Sequence, residues 1–402
     1  MFIIKNFLLT ALCAITVDGS EYVHHSISSS CSFHDGTPVS GEKQNATMIA
    51  EPHKYFPAQI KRRVAAADAI SADAIDLPVN YSYPVIDISP WLDPSMSSDE
   101  DREQVVQQVL NEATTSGSFN IIGHGIDDAL FGRLDASARN FFSMSLEQKM
   151  GYASGNNLAG YVANRNESVA AVHKSGSSKE QKDLREIFSM SSTPDNDANV
   201  QGPPEFHDAI SQYIERLLNV EKAIKQIFTV ALSSAKDIDL PPTYLKELEG
   251  DETGVLRVAR YPSTPGFDDA TKLLPHSDFG TITMISSSEK GLDEIRDGRW
   301  YRVPMRKGEI NVNVGETYTM WSNGLFNNNI HRVSKEAKKD RISFSYFTSQ
   351  GRRTSSDDNT HFAVSPICSD GEEPRFPRVS TIGHLRSYIS AFTGGKEDLW
   401  DD

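Results

Sequence analysis

The chain has no apolar run long enough to cross a bilayer, no stripe of basic residues and no internal repeat. The first absence excludes a membrane-spanning helix. The second, together with a formal net charge of −15, argues against nucleic acid as the main partner, because phosphate binding needs clustered Lys and Arg. Cysteine is scarce: Cys13, Cys31 and Cys368 are all there is. A disulfide between Cys31 and Cys368 is possible, but nothing in the sequence demands it, and the thiols leave the compartment open. What is present, 402 residues with 38% hydrophobic and 24% charged side chains, fits a soluble globular enzyme of one large domain or two intimate ones.

The chain changes character along its length. Lys5, the apolar stretch Phe7 to Val17 and the small polar residues after it read as a secretory signal peptide cleaved between Val17 and Ser20. Sequons at Asn45, Asn80 and Asn166 agree with secretion, Asn45 being the most accessible. The alternative is a cytoplasmic enzyme with an amino-terminal extension. Residues 21–78 are rich in Ser, His, Ala and Asp without a period, as expected of a linker or pro-segment. Order is expected from Tyr83. Val85 to Ile88 and Phe119 to Ile122 read as strands. Helices are expected from Ser98, from Leu130 to Phe142 and from Glu205 to Ser234, with a last one from His384 to Phe392. After Thr253 short β runs punctuated by Gly and Asn predict a double-sheet jelly roll.

The chemistry concentrates in that last region. Leu-Pro-His276-Ser-Asp278-Phe-Gly-Thr supplies an imidazole and a carboxylate two residues apart, which on extended chain point to the same side. Asn-Asn-Ile-His331-Arg-Val supplies a second imidazole, which must come from a strand folded back beside the first pair. Two His and one carboxylate form the facial set that holds non-haem iron(II) and leaves its other positions open. In residues 341–347, Arg341, Ser343 and Ser345 alternate with Ile342, Phe344 and Tyr346. A hairpin with His331 on one arm and Arg341 on the other would aim both into one cavity. There the guanidinium fork, helped by the Ser343 hydroxyl, would form a socket for a carboxylate. His124, between two glycines, reads as a turn residue and is excluded from the metal site.

These motifs stand in a recognisable order. Leu256 to Pro262, including Tyr261, is followed by His276-x-Asp278-Phe-Gly280-Thr-x-Thr283. Asn313-Val-Gly315-Glu316, Trp321-Ser-Asn323-Gly324, His331-Arg-Val and Arg341-x-Ser343 come next. Upstream lie Tyr83-Pro-Val-Ile, Gly117 to Gly125, Phe141 to Lys149, Gly160-Tyr161 and Asp183 to Phe188. So arranged, residues 80–395 resemble the isopenicillin-N-synthase-like superfamily of 2-oxoglutarate/iron(II) dioxygenases. The resemblance implies an α+β fold: a double-stranded β-helix (jelly roll) core with flanking helices and an amino-terminal α/β cap domain. Together with the reading of the amino-terminal residues, the expected division is a signal peptide (1–20), a low-complexity linker or pro-segment (21–78), an amino-terminal dioxygenase domain (79–200), a long helical connection (201–252), the jelly roll (253–350) and a carboxy-terminal extension with a helix (351–402).

The same resemblance implies that His276, Asp278 and His331 ligate Fe(II), and that Arg341, Ser343 and Tyr261 hold 2-oxoglutarate, with O2 as the other co-substrate. No further catalytic residue is implied. Ala259 departs from the pattern, since the family commonly has Asn two residues before the Tyr, and Glu316 stands where Asp is more usual. The implied reaction oxidises a small organic molecule by hydroxylation or desaturation and releases succinate and carbon dioxide. A monomer is expected. Three rivals remain: an iron oxidase of the same fold that needs no 2-oxoglutarate, a zinc hydrolase, and a secreted jelly-roll binding protein without catalysis. Succinate release separates the first from the implied reaction, and a zinc site leaves Arg341-x-Ser343 unexplained.

Overall fold

The computed structural model describes residues 63–64, 66–67, 69–70, 82–153, 159–163, 184–192, 202–249, 253–263, 273–333, 340–349, 364–376 and 384. The proposed signal peptide, the asparagines of the three sequons and the body of the expected last helix lie outside them.

After strand β1 (Val85–Asp87) and a helical turn, α1 (Ser89–Leu92), helix α2 (Asp99–Thr115) starts at a capping box. The Ser98 hydroxyl accepts from the Asp101 amide at 3.1 Å, and the Asp101 carboxylate accepts from the Ser98 amide at 2.9 Å. Two of the orphan amide groups at that end are thereby satisfied. Strand β2 (Ser118–Ile122), α3 (Asp128–Ser143), α4 (Leu146–Met150), β3 (Gly160–Val162) and β4 (Glu186–Ser191) follow. The long helix α5 (Pro204–Lys236) then leads through α6 (Tyr244–Glu249) into the β region. That region comprises β5 (Thr253–Tyr261), β6 (Leu273–His276), β7 (Ile282–Ser287), β8 (Leu292–Arg296), β9 (Arg299–Arg302) and β10 (Ile310–Val314). Helix α7 (Glu316–Trp321), β11 (His331–Val333) and β12 (Arg341–Ser349) complete it.

The strands form two sheets. The larger runs β1-β2-β10-β7-β12-β5-β4-β3 and the smaller β6-β11-β8-β9. Strands from before the long helix thus extend both ends of the larger sheet. Helix α5 covers that sheet's outer face. Tyr213 bonds Ser286 at 2.7 Å, the Tyr346 hydroxyl donates to Glu221 at 2.9 Å, and Phe228 stacks on Phe119. Along β12 the pleat sends Phe344 and Tyr346 toward this helix and turns Arg341, Ser343, Ser345 and Phe347 into a cavity between the sheets. Burial of the first set in the large apolar cluster therefore fixes where the second set points. Cys368 is buried and disulfide-bonded. Among the described residues no helix is long and apolar enough to cross a membrane.

One expectation is corrected. His331 and Arg341 do not lie on the two arms of a hairpin. β11 pairs with β6 and β8 in the smaller sheet, and β12 pairs with β5 and β7 in the larger one. Both edges of each strand are already occupied by these partners, so β11 and β12 cannot also pair with each other. The two side chains meet because the sheets face one another across the cavity.

Candidate metal and co-substrate site

His276 ends β6, and His331, the first residue of β11, is its antiparallel partner in register. Asp278 lies just beyond the strand end. The ligand atoms of the three all fall within 4.8 Å of one another. Nε2 of each histidine stands 3.7 Å from Asp278 Oδ1, and the imidazole centroids are 4.3 Å apart. All three are buried. Nδ1 of His276 donates to the Leu274 carbonyl at 2.8 Å, which leaves Nε2 with its lone pair facing the other two ligands. Asp278 Oδ2 is buried with no hydrogen-bond partner among the described residues. A buried carboxylate oxygen left this way is costly unless something charged completes it. Two nitrogens and one carboxylate, converging from one side, fit a divalent iron ion.

The Asp278 loop is gripped by the corner between β10 and α7. The Glu316 amide donates to the Asp278 carbonyl at 2.8 Å, Gly315 to Thr281 at 2.9 Å and Thr317 to Gly280 at 3.1 Å. This closeness requires glycine: a Cβ on Gly315 would lie 2.2 Å from the Gly280 carbonyl oxygen. Ser277, between the two ligands, donates its hydroxyl to Glu316. The other Glu316 oxygen meets His384 Nε2 at 3.0 Å. The longer Glu side chain at this position therefore reaches both the ligand loop and the carboxy-terminal segment.

Across the cavity stands Arg341, 1% exposed. Its Nε and Nη1 have no hydrogen-bond partner among the described residues, and burial pulls its pKa below the usual arginine value. A buried guanidinium with idle donors is a ready site for an anion. Its guanidinium carbon lies 5.4 Å from the Tyr261 ring centroid, and Tyr261 is its partner in the β12–β5 register. Gly291, at φ +137°, leaves room for its stem, since a Cβ there would sit 3.0 Å from Arg341 Cδ. Ser343 faces the same space opposite Ala259, so the position where a family Asn was expected contributes only a methyl group to the wall.

The six residues singled out in the sequence are thus brought to one cavity. His124 is a turn residue as expected: Nδ1 accepts from the Ile126 amide and Nε2 meets the Gly308 carbonyl, both at 3.1 Å. Sequence reading missed Arg185, Arg257 and Thr283, which also line the cavity. The period-two pattern of β5 held a signal for Arg257, because it places Arg257, Ala259 and Tyr261 on one face. Behind β11, buried Asp293 holds Arg302 at 2.6 Å and Arg332 at 3.3 Å, and Arg332 stacks 4.1 Å from the Trp300 ring centroid.

Comparison with known proteins agrees with this geometry. Residues 83–209 match the profile of the non-haem dioxygenase in morphine synthesis N-terminal family, and residues 252–350 match the 2OG-Fe(II) oxygenase superfamily. A bi-functional coumaroyl CoA and feruloyl CoA ortho-hydroxylase of Ipomoea batatas is 24% identical over 345 residues, spanning 84% of this chain and 86% of that protein. A homoarginine-6-hydroxylase of Glycine max is 26% identical over 292 residues, 66% of this chain and 85% of its own. Among solved structures, a 2OG-Fe(II) oxygenase family protein of Caulobacter crescentus superposes with a TM-score of 0.61 at 19% identity. That match covers 77% of this chain and 98% of the other. The rice dioxygenase for auxin oxidation gives a TM-score of 0.58 at 20% identity, over 78% and 98%. These structural likenesses carry the fold.

Proposed function

The chain belongs to the isopenicillin-N-synthase-like superfamily of 2-oxoglutarate/iron(II)-dependent dioxygenases, and on that premise we propose that His276, Asp278 and His331 hold the iron, that Arg341 and Ser343 hold the far carboxylate of 2-oxoglutarate, and that Tyr261 helps to hold the co-substrate. The enzyme is an oxidoreductase that oxidises a small organic substrate. Bound iron(II), 2-oxoglutarate and O2 supply the oxidising chemistry, with release of succinate and carbon dioxide. The protein's own part is to hold and orient. The triad would hold the ion through its three ligand atoms, leaving room for small ligands. Arg341 would hold the co-substrate's far carboxylate in the same cavity that the triad lines. The buried walls keep water from the reacting atoms.

The observation that carries this assignment is the meeting of three converging ligand atoms with a fully buried arginine whose donors are idle. The iron-oxidase alternative would use Arg341 for its own substrate's carboxylate, and the comparisons do not favour it. The test is succinate release from purified protein given iron(II) and 2-oxoglutarate, with products searched for a gain of one oxygen or a loss of two hydrogens. His276→Ala, Asp278→Ala and His331→Ala should each abolish both turnover and tight Mn(II) binding by calorimetry, with an unchanged circular dichroism spectrum. Full turnover in any one of them would defeat the assignment.

We also propose that the enzyme enters the secretory pathway and acts as a monomer. Supporting the first part are the basic-then-apolar start from Lys5 to Val17 and the disulfide at Cys368. Such bonds persist in oxidising compartments and are rare in the cytosol.

A further inference from the structure

Residues 63–70 precede the family match, which begins at residue 83, and lie within the stretch whose composition reads as a linker or pro-segment. Their described part is helical at Arg63, Val64, Ala66, Ala67 and Ala69. Val64 and Ala67, three residues apart and so on one helical face, are buried, whereas Arg63, Ala66 and Ala69 are exposed. Alanine favours the helix, and its small side chain lets the backbone lie close to what it covers.

What it covers adjoins the metal site. Val64 and Ala67 form a small apolar cluster with Trp300 and Ile330, against which Ile70, Phe279 and Ile295 pack. Ile330 immediately precedes His331, and Phe279 immediately follows Asp278. Along extended chain, neighbouring side chains point to opposite sides. His331 lines the cavity, so Ile330 turns away from it into the cluster. Polar contacts fasten the same place. The Arg63 guanidinium donates twice to Asn328, from Nη1 to Oδ1 at 2.6 Å and from Nη2 to the carbonyl at 2.9 Å. Asn328 is buried, three residues before His331. Trp300 Nε1 donates to the Ile70 carbonyl at 3.2 Å, and the Trp300 ring carries Arg332, the residue after His331. One short segment thus bears on the chain immediately beside two of the three proposed ligands.

We propose that residues 63–70 are a clasp that positions Asp278 and His331, with Arg63, Val64 and Ala67 as positioning residues for the metal. The inference rests on the assignment of His276, Asp278 and His331 to the metal. Ligands keep a productive geometry only when the residues that support them are themselves held. Here part of that support comes from a segment outside the family match. A chain cut between the clasp and Tyr83 would keep every proposed ligand and lose the support. The segment is then a working part of the enzyme and not a removable pro-segment.

The test compares three variants of the full chain. Ala67→Asp puts a carboxylate into the small cluster and drives the segment off. Arg63→Ala removes both bonds to Asn328. Leu134→Ala, a control, opens a cavity in the large apolar cluster. Each is followed by a thermal melt, by calorimetric titration with Mn(II) and by the visible absorption of the Co(II)-loaded protein, which reports ligand geometry without turnover. Ala67→Asp should weaken Mn(II) binding at least fivefold and shift the Co(II) bands, and Arg63→Ala should do the same at least threefold. Leu134→Ala should lower the melting temperature yet leave Mn(II) affinity within twofold and the Co(II) bands in place. The proposal is overturned if Ala67→Asp binds Mn(II) less than fivefold more weakly than wild type, or if Leu134→Ala weakens it as much. Should circular dichroism show that Ala67→Asp does not fold, Arg63→Ala decides by its threefold threshold. If the wild-type protein itself does not bind Mn(II), the triad assignment falls and this inference with it. If it does bind and the clasp variants bind equally well, only this inference falls.

Discussion

Arg341 shows how much one side chain can decide. A surface arginine costs little to keep and does little, but one that is 1% exposed has lost its hydration and must be repaid by a ligand or a partner. Lysine would keep the charge and lose the planar fork. Arg341→Lys should therefore weaken 2-oxoglutarate binding by about 1.5–3 kcal/mol, the usual size of a charged hydrogen bond, and leave Mn(II) affinity nearly unchanged. Calorimetry with each ligand in turn checks this. Unchanged 2-oxoglutarate affinity would hand the socket to another cation, Arg257 or Arg185. The sequence made Arg341 legible through its place in an Arg-x-Ser pattern after the last proposed ligand. Arg185 and Arg257 were less legible, since a half-buried arginine on a strand looks the same in sequence whether it faces solvent or a cavity.

At the scale of elements, the proposed ligands depend on contacts made by neighbouring segments. The β10–α7 corner holds the Asp278 loop through backbone groups, and Gly315 lets it come close enough. Gly315→Ala should destabilise the protein by about 1–3 kcal/mol through overpacking. It should also weaken Mn(II) binding, because the loop must shift. A thermal melt and a metal titration on the same sample check both. A variant with a normal melt and normal metal affinity would show that the corner is not a support.

The outer edge of the larger sheet offers a pH test. Burial alone would raise the pKa of Glu186. The hydrogen bonds from Lys149 and Tyr161, each at 2.6 Å, and from Arg260 outweigh it and hold the carboxyl below its ordinary value of 4.5. A group depressed in the folded state stabilises above its unfolded pKa and loses that contribution as pH falls through the folded value. Glu186→Gln should thus cost about 3 kcal/mol near neutral pH, because Lys149 is left buried without its counter-charge. The gap between variant and wild type should shrink steadily below about pH 4.5. Melting curves from pH 7 to pH 3 measure it. A gap that stays constant over that range would contradict the carboxylate's role.

For the whole molecule, the proposed location and processing rest on the residues from Lys5 to Val17, whereas the chemistry rests on the β region. Protein from the native host should lack its first seventeen to twenty residues and carry a glycan at Asn45. Intact-mass measurement decides this. A chain that begins at Met1 without a glycan would return the enzyme to the cytosol.

The sequence by itself determined the proposed ligand set, the arginine and serine of the proposed socket and the jelly-roll class, because each is written in local spacing. His276 and Asp278 are two residues apart, and the alternation in β12 sorts its own faces. It also determined the helix starts, since the Ser98 capping box is a matter of adjacent residues. The partners across space were decided only by tertiary structure. That His331 pairs with His276 while Arg341 reaches the same cavity from the other sheet depends on which strand edges are already taken, and no local pattern records that. The reach of Glu316 to both Ser277 and His384, the room that Gly291 leaves for Arg341, and the gathering of Arg185 and Arg257 at one wall have the same origin. Each arises from two segments far apart in sequence brought together by burial of the apolar faces behind them, and burial constrains the backbone before it reveals what the opposite face will hold.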